Sequence, residues 1–478
     1  MPGRDLRAGR RAKIICTLGP ATDKDGLLDS LLAKGMDAAR LNLSFGHVDE
    51  HIDRIQRLRS MTTKRRPVAV IVDLPGRKLR VGRLEGGGML VEAGQTLSLV
   101  PDEGQVGNDA TIPVARALFH DNMARGDRIQ LADGLVELVV RSFDSRAVQT
   151  EALSGGTVGE RTGVHYAGLP LQGPPITAAD EPFLKMAVDQ NVDYLAISSV
   201  SDAQDVLYVK ERLIEMGASI PVIAKIERSD AFARLDGILN RADAVMIRRG
   251  DLGAEIEVTR VPLVQKKIMR LANQQGVPVI IATQMLGSMT AAPTPTRAEA
   301  SDVANAIMDG ADGVLLSAET AVGQYPEAAV GMMASIISET EHDRDDGPHP
   351  HAPLADYPSP FADVTASIAC DAAARTGARL IACFTASGNT AKLVAKYRPN
   401  TPVIAFCSDE STRRRLAVHW GLRSDRLEPP SNVETMVQRV QERLIECDLV
   451  RKGDRVVIVF GAPVGEKGHT NSVRLHEV

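Results

Sequence analysis

The feature that most constrains the fold is a regular alternation of short apolar runs with longer amphipathic stretches. The apolar runs are rich in Val, Ile and Ala, and their lengths are typical of buried strands. Eight of them are predicted to be strands: 12–17, 38–42, 68–73, 194–198, 222–227, 244–247, 279–282 and 314–317. The stretches with helical spacing are 22–33, 47–60, 180–191, 202–216, 262–275 and 297–309. This count and rhythm predict a (β/α)8 TIM barrel in an α/β protein.

The alternation breaks between Arg83 and Gly168, where helical spacing disappears. Glycines become frequent, and the apolar pattern turns to the short alternation of exposed sheets, as at 128–131 and 135–140. We expect an all-β domain inserted after the third barrel strand, above the C-terminal mouth of the barrel. Such a domain is compatible with a lid and also with a passive spacer.

A polar stretch rich in Pro and His precedes the last part of the chain and is predicted to be a linker. A helical stretch follows at 362–376, and strand-like runs lie at 380–384, 403–406 and 456–460, which predicts a separate α/β domain. The predicted divisions are 1–83 and 169–342 for the barrel, 84–168 for the inserted β domain, 343–360 for the linker and 361–478 for the C-terminal domain.

Composition excludes several classes of function. The net charge is only −5 over 478 residues, without an acidic or basic block, so neither nucleic acid nor a membrane surface is expected as the main partner. No apolar run reaches membrane-spanning length. The five cysteines form no C-x-x-C pair, which disfavours a disulfide framework or zinc site. No apolar signal segment follows the basic N-terminus, and we expect a cytoplasmic protein.

The run ending in Lys225 and Glu227 places two opposite charges at the end of a buried strand. Side chains two residues apart share one face of a strand, so the ammonium and the carboxylate are expected to lie side by side. Desolvating both is costly. Two explanations remain open from this stretch alone: a structural ion pair, or a site where the carboxylate holds a metal and the ammonium meets a substrate anion.

Polar side chains also follow the other predicted barrel strands, and TIM barrels carry their active groups at these C-terminal ends. Those residues are Arg40, Asn42, Ser44, Asp73, Lys225, Glu227, Asp251, Thr283 and Glu319. Glu227 and Asp251 form a carboxylate pair suited to Mg²⁺ or Mn²⁺, which keep open positions for phosphate oxygens. Lys225, Arg40 and Arg80 supply positive charge for a phosphorylated substrate. Taken singly, Arg40 or Asp73 is more often an ordinary ion-pair partner and Thr283 a satisfied strand-end hydroxyl, and it is their joint placement that favours a site.

Several longer motifs surround these residues. They are 224–227 (AKIE), 249–253 (RGDLG), 282–286 (ATQML), 295–299 (PTRAE), 301–305 (SDVAN) and 316–321 (LSAETA). Through them the chain resembles the pyruvate kinase family over nearly its whole length. The resemblance implies phosphoryl transfer from phosphoenolpyruvate to ADP in glycolysis, giving pyruvate and ATP.

The resemblance also implies roles for individual residues. Glu227 and Asp251 would hold the divalent metal, Mg²⁺ or Mn²⁺. Lys225 and Arg40 would contact the phosphoryl group. The other substrate contacts would be Thr283, near a proton relay, and the Gly250 backbone. The nucleotide would meet Asn42 and Arg80. The inserted β domain would close over the metal–nucleotide complex and exclude water.

The chain departs from the family pattern on the nucleotide side. The departures are Phe45 in 44–46, the changed residues Leu74, Pro75, Arg77 and Lys78 in 73–80, and Ser199 and Ser201 in 198–201. In many members K⁺ binds at positions that match Asn42, Ser44, Asp73 and the Leu74 carbonyl. Members with Leu and Lys at the positions that match Leu74 and Lys78 do not need K⁺, because the lysine ammonium can replace the charge of the bound ion. We therefore predict K⁺-independent activity; the alternative is that Lys78 is a surface lysine and K⁺ still binds.

A loop in the C-terminal domain joins a predicted strand to a helix, and its small and hydroxyl residues can cradle a phosphate. The resemblance implies that this loop binds a phosphorylated allosteric effector. The predicted contacts are Thr385, Ser387, Gly388 and Thr390. A plain helix cap without ligand is the alternative. The family also implies a homotetramer.

Two other functions remain open for the whole chain. One is a catalytically degenerate, pyruvate-kinase-like sensor of sugar phosphates, favoured by the changes near Phe45 and Arg77. The other keeps the enolate and metal site but uses another acceptor or carbon–carbon chemistry.

Overall fold

The computed structural model describes residues 9–62, 67–119, 123–167, 169, 171, 173–343, 360–428, 430, 432–463 and 470–478. The first part of the chain contributes three adjacent strands and two helices to a barrel. They are β1 (Lys13–Leu18), α1 (Leu27–Lys34), β2 (Ala38–Asn42), α2 (Val48–Thr62) and β3 (Ala69–Leu74). The side chains of β1 and β3 are buried throughout, as expected for parallel strands covered on both faces.

The segment after β3 folds into small sheets. Its strands are β4 (Arg83–Leu84), β5 (Gly88–Val91), β6 (Thr96–Pro101), β7 (Val106–Gly107), β8 (Thr111–Val114), β9 (Arg128–Leu131), β10 (Val136–Phe143), β11 (Val148–Ala152), β12 (Gly156–Gly159) and β13 (Val164–Tyr166). The largest described sheet has the order β13-β9-β10-β11-β6-β8. Its alternating apolar side chains form their own core, in which Leu79 and Leu169 also pack.

The chain then returns to the barrel. The strands of this part are β14 (Tyr194–Ile197), β15 (Val222–Ile226), β16 (Ala244–Arg248), β17 (Val279–Ala282) and β18 (Gly313–Leu316). The helices are α3 (Glu181–Asp189), α4 (Ala203–Glu215), α5 (Ser229–Ala233), α6 (Leu235–Leu239), α7 (Arg249–Glu255), α8 (Val261–Gln275), α9 (Arg297–Met308), α10 (Ala318–Ala321) and α11 (Pro326–His342). Within the described ranges, the strands close in the order β1-β18-β17-β16-β15-β14-β3-β2, with every pair parallel. The predicted TIM barrel with an inserted all-β segment is confirmed.

Local sequence explains where several helices begin and end. At the start of α9, Thr296 Oγ1 accepts a hydrogen bond from Glu299 N at 3.2 Å, and the Glu299 carboxylate accepts one from Thr296 N at 2.8 Å. This reciprocal cap satisfies two amide groups that the helix itself leaves unpaired. Helix α8 ends at Gly276, whose φ of 71° lies in the left-handed region that favours glycine.

The C-terminal part is a second α/β unit, as predicted. Its elements are α12 (Pro360–Thr376), β19 (Leu380–Phe384), α13 (Asn389–Lys396), β20 (Val403–Cys407), α14 (Glu410–Arg415), β21 (Leu422–Arg426), α15 (Val433–Glu446), β22 (Arg455–Phe460) and β23 (Ser472–Glu477). Among the residues described, the sheet order is β21-β20-β19-β22-β23, with β23 antiparallel to β22. Nearly all of the predicted linker, residues 344–359, lies outside the described residues.

The C-terminal unit closes the amino-terminal end of the barrel. Val418 is completely buried among side chains of the barrel interior, including Tyr194 and Met246. Tyr194 Oη donates a hydrogen bond to the Arg415 carbonyl at 3.0 Å. Arg398 Nη2 lies 3.0 Å from Asp312 Oδ2, just before β18. The two units therefore share apolar packing as well as ion pairs.

None of the helices within the described ranges combines the length and the apolar character needed to cross a membrane.

Candidate active site

Lys225 lies at the centre of a polar cluster at the C-terminal end of the barrel. Its side chain, on β15, is 2% exposed. The ammonium lies 3.0 Å from Asp73 Oδ1, 3.1 Å from Glu227 Oε1 and 2.5 Å from Ser198 Oγ. Lys225 and Glu227 therefore do share one face. A buried ammonium with two carboxylate partners is held rigidly in place.

Asp73 connects Lys225 to Arg40. The Arg40 guanidinium donates to Asp73 Oδ2 through Nε at 2.8 Å, and its Nη1 donates to Thr17 Oγ1 at 3.1 Å. Burial alone would raise the pKa of the Asp73 carboxyl. The nearby Lys225 and Arg40 charges outweigh burial and hold this pKa well below its usual value. Asp73 is therefore ionised at neutral pH and fixes both cations.

Glu227 and Asp251 form the second acidic pair, buried to 3% and 1% exposure. Glu227 Oε2 accepts a hydrogen bond from Ser199 N at 2.8 Å. Burial raises the pKa of both carboxyls, but the cations around them lower it more. For Glu227 the main cation is Lys225, and for Asp251 it is Arg248. Both pKa values therefore lie below the usual range, and both groups are carboxylates in the folded protein.

Three cationic or basic side chains approach Asp251. Arg248 Nε lies 3.1 Å from Asp251 Oδ2, His165 Nε2 lies 3.1 Å from Oδ1, and the Lys78 ammonium also pairs with Oδ1. His165 belongs to β13 of the inserted segment, so this segment meets the barrel directly above the carboxylate pair. A small cavity of about 30 Å³ lies at this junction, bordered by Lys78, His165, Glu227 and Asp251.

Thr283 and Gly250 meet beside this cluster, after the neighbouring strands β17 and β16. Thr283 Oγ1 accepts a hydrogen bond from Gly250 N at 3.1 Å and donates one to the Ala282 carbonyl at 2.6 Å. Thr283 and Gln284 have φ values of 71° and 55°, in the left-handed region that is rare for residues with a side chain. Arg249 holds this strained turn by donating to both of their carbonyls. Strained backbone of this kind concentrates at functional sites.

The remaining predicted residues near the mouth form a separate group. Arg80 Nη2 donates to Ser44 Oγ at 2.7 Å, and Ser44 N donates to Asn42 Oδ1 at 3.3 Å. The Leu74 carbonyl accepts from Ser198 Oγ at 2.8 Å. Lys78, which the sequence grouped with these residues, has its ammonium on Asp251 instead. Arg80 thus supplies the positive charge beside Ser44.

The departures from the family pattern have local explanations. Arg77 donates to Asp205 Oδ2 at 2.6 Å and to the Ser199 carbonyl at 3.1 Å. Ser201 N donates to the same Asp205 oxygen at 2.8 Å. Arg77 therefore anchors the segment after β3 to the loop after β14. Phe45 is 58% exposed, and its carbonyl accepts a hydrogen bond from His51.

The predicted effector loop joins β19 to α13. Thr385 Oγ1 accepts from Gly388 N at 3.0 Å, and Thr390 Oγ1 lies 2.8 Å from Thr470 Oγ1. Gly388 has a φ of 86° and caps α13, a helix of eight residues. Ser387 is exposed on the wall of a cleft of about 600 Å³ between this loop and the barrel, which Arg415 also borders.

Sequence reasoning did not single out Arg248, His165 or Ser198 as members of the site. Arg248 is the last residue of β16, after four buried apolar side chains, so the same argument from strand ends could have found it. His165 lies in the inserted segment, and no local pattern indicates its contact with Asp251.

Comparison with known proteins agrees with this geometry. Residues 9–330 match the family model "Pyruvate kinase, barrel domain", and residues 363–476 match "Pyruvate kinase, alpha/beta domain". The chain belongs to the pyruvate kinase family. It is 38% identical to the pyruvate kinase of Mycobacterium tuberculosis over 470 residues, covering 98% of both chains. It is 38% identical to that of Geobacillus stearothermophilus, covering 98% of this chain and 80% of the relative.

A structural comparison gives the same family. The crystal structure of a pyruvate kinase from Cryptosporidium parvum superposes with a TM-score of 0.87 at 31% sequence identity. The match covers 99% of this chain and 97% of the other. The similarity therefore includes the barrel, the inserted segment and the C-terminal unit.

Proposed function

We propose that this protein is a pyruvate kinase that transfers the phosphoryl group of phosphoenolpyruvate to ADP, giving pyruvate and ATP in glycolysis. The observation that carries this proposal is the convergence of Lys225, Glu227 and Asp251 at the C-terminal mouth of the barrel, with Arg40 held beside Lys225 by Asp73. Phosphoryl transfer depends mainly on positioning and charge neutralisation, and this cluster supplies both.

Glu227 and Asp251 are the proposed ligands of a divalent metal, Mg²⁺ or Mn²⁺. Asp251 Oδ2 is buried and accepts no well-directed hydrogen bond from the described residues, as expected for an oxygen with a further partner. No group of three or more acidic, His or Cys residues suited to a metal occurs in the described part of the chain. Mg²⁺ is usually held by one or two carboxylates plus substrate oxygens, and Glu227 and Asp251 supply two carboxylates. When bound, the metal would neutralise charge on the phosphate.

The other proposed roles are those that family membership implies, and the positions of the side chains support them. Lys225 and Arg40 present positive charge to the transferring phosphoryl group. The substrate carboxylate lies near Thr283 and the Gly250 amide, and Thr283 lies on the route by which the enolate gains its proton. The nucleotide is bound by Asn42 and Arg80, and residues 84–168 act as a lid. His165 of that lid already reaches Asp251 of the carboxylate pair.

Several finer features belong to the same proposal. We infer that the enzyme does not require K⁺, since the Leu74 carbonyl already accepts a hydrogen bond from Ser198 and the Arg80 guanidinium already contacts Ser44. A phosphorylated effector is proposed to bind at the loop containing Thr385, Ser387, Gly388 and Thr390, where the exposed Ser387 faces a large cleft. Family membership supports a cytoplasmic homotetramer with the domain divisions given above.

A degenerate sensor is not favoured. The residues that neutralise and hold the phosphoryl group are all present and in mutual contact, and the relatives that match nearly the whole chain are pyruvate kinases. A reaction with another acceptor would not need an inserted domain that reaches the carboxylate pair.

The direct test measures pyruvate formation from phosphoenolpyruvate and ADP with Mg²⁺ present, using lactate dehydrogenase as the coupling enzyme. We expect turnover with wild-type protein and none when ADP is omitted. Purified, folded protein that never forms pyruvate under these conditions would rule the proposal out.

A further inference from the structure

Arg248 lies between the two carboxylates that are the proposed metal ligands. Its Nη1 is 3.2 Å from Glu227 Oε1, and its Nε is 3.1 Å from Asp251 Oδ2. Among the described cations, it is the one with ion pairs to both groups. Glu227 and Asp251 are almost fully buried, whereas the Arg248 side chain is 17% exposed. One guanidinium therefore spans the pair, on a side chain that is more exposed than either carboxylate.

The position of Arg248 at the end of a barrel strand explains why its guanidinium lies between the two carboxylates. It is the last residue of β16, and α7 begins at the next residue, so Asp251 lies one turn further on. A guanidinium is planar and presents several donors, which allows it to contact two carboxylates at once. An uncompensated pair of buried carboxylates would be costly, and Arg248, together with Lys225 and Lys78, lowers that cost in the metal-free protein.

The charges of the whole cluster oppose adding a divalent cation while Arg248 stays in place. The carboxylates are Asp73, Glu227 and Asp251, and the cations in contact with them are Lys225, Arg40, Lys78 and Arg248. Three negative and four positive groups sum to +1, and a divalent ion would raise this sum to +3. Buried like charges at such separations repel strongly.

We propose that Arg248 is an internal counter-cation that occupies the metal position between Glu227 and Asp251 and must swing aside when the divalent ion binds. It thereby sets the affinity for the metal. This inference rests on the proposed role of Glu227 and Asp251 as metal ligands. The exposed side of Arg248 gives the guanidinium a path to solvent, while Lys225 stays fixed by Asp73 and Ser198.

The test is direct Mn²⁺ binding to the purified full chain, measured from the loss of the free-Mn²⁺ electron paramagnetic resonance signal, without substrate. Arg248→Met keeps much of the side-chain length and removes the charge, and we expect it to bind Mn²⁺ roughly tenfold more tightly or better. Arg248→Lys keeps a charge but cannot span both carboxylates, so its affinity should lie between. Arg212→Met is the matched control, because Arg212 on the outer helix α4 also pairs with two carboxylates, Glu181 of α3 and Glu215 of α4.

Thermal unfolding gives a second readout. Arg248→Met should melt below wild type without metal, and Mn²⁺ should raise its midpoint more than that of wild type, because tighter binding to the folded state adds more stability. Unchanged or weaker Mn²⁺ affinity in both Arg248 variants would overturn the inference. Wild-type Mn²⁺ affinity in Glu227→Gln would also overturn it, by removing the ligand assignment. Failure to form pyruvate, with these Mn²⁺ results intact, would overturn the proposed activity alone.

Discussion

Lys225 Nζ lies 3.0 Å from Asp73 Oδ1, which ties β15 to β3 although β14 separates these strands in the barrel. The contact spans β14 at the C-terminal end of the barrel, and Arg40 on β2 pairs with the other oxygen of Asp73. Lys225 is therefore positioned by an acidic group whose low pKa keeps it charged. The ammonium is set before any substrate arrives, which is how an enzyme avoids reorganisation during the reaction.

The first prediction concerns Lys225→Met. Losing a fixed positive charge at the transferring phosphoryl group should lower kcat by about 10³-fold or more. The coupled pyruvate assay measures this. Ser198→Ala removes one partner of Lys225 Nζ but keeps the charge, and we expect a loss of about tenfold or less. A Lys225→Met enzyme with turnover close to wild type would remove Lys225 from the proposed chemistry.

The second prediction concerns monovalent cations. In buffer containing tetramethylammonium but neither Na⁺ nor K⁺, the enzyme should be active, and adding K⁺ should change the rate by less than about twofold. The physical reason is that protein cations replace the ion's charge. Arg80→Met should lose activity that K⁺ partly restores, because the Arg80 guanidinium is the cation beside Ser44. A many-fold activation of wild type by K⁺ would contradict K⁺ independence.

The third prediction concerns the C-terminal loop. Ser387→Asp places a negative charge where we propose an effector phosphate, so repulsion should abolish activation by phosphorylated ligands. Initial rates at low phosphoenolpyruvate, with and without glucose 6-phosphate or AMP, measure this effect. Rates without effector should stay near wild type, because the loop lies at the opposite end of the barrel from Lys225. Equal activation of wild type and variant would argue for a plain helix cap.

The fourth prediction concerns stability. Lys396 Nζ lies 2.7 Å from Asp363 Oδ1, and both side chains are buried to 1% exposure or less. Lys396→Met leaves a buried carboxylate without this partner and should lower the free energy of unfolding by about 3–5 kcal/mol. Urea unfolding followed by the fluorescence of Trp420, the single tryptophan, measures the change.

Two controls separate charge from packing in that experiment. Adding Asp363→Asn to Lys396→Met should restore part of the lost stability, because the uncompensated charge is gone. Lys185→Met breaks the exposed 3.0 Å pair with Asp189 and should cost less than about 1 kcal/mol. Equal effects of Lys185→Met and Lys396→Met would contradict the assigned importance of burial.

The sequence predicted the barrel because each buried strand is a short apolar run, and parallel strands end at one edge. Because the strands end at the same edge, the sequence also predicted that Lys225, Glu227 and Asp73 lie close together. Helix α7 was not predicted, since its glycines Gly250 and Gly253 disfavour helix and only tertiary packing holds it. Helix α11 was also missed.

The partners of Asp251 could not be predicted from local patterns. Lys78 was placed with the residues around Ser44, yet its ammonium lies on Asp251 and Arg80 occupies the position beside Ser44. Side chains of Lys and Arg are long, so a residue two positions away in an irregular segment can reach a different carboxylate. Such choices depend on the folded arrangement of the inserted segment, including His165.

Val418 of the C-terminal unit packs against side chains in the interior of the barrel. A chain truncated within 344–359 would lack the C-terminal unit. The amino-terminal end of its barrel would be open to water, so Tyr194 would be exposed and Asp312 would lose its ion pair with Arg398. The catalytic barrel is thus not a detachable module. A displacement of the C-terminal sheet would therefore act first on the amino-terminal end of the barrel. Lys225 lies at the other end.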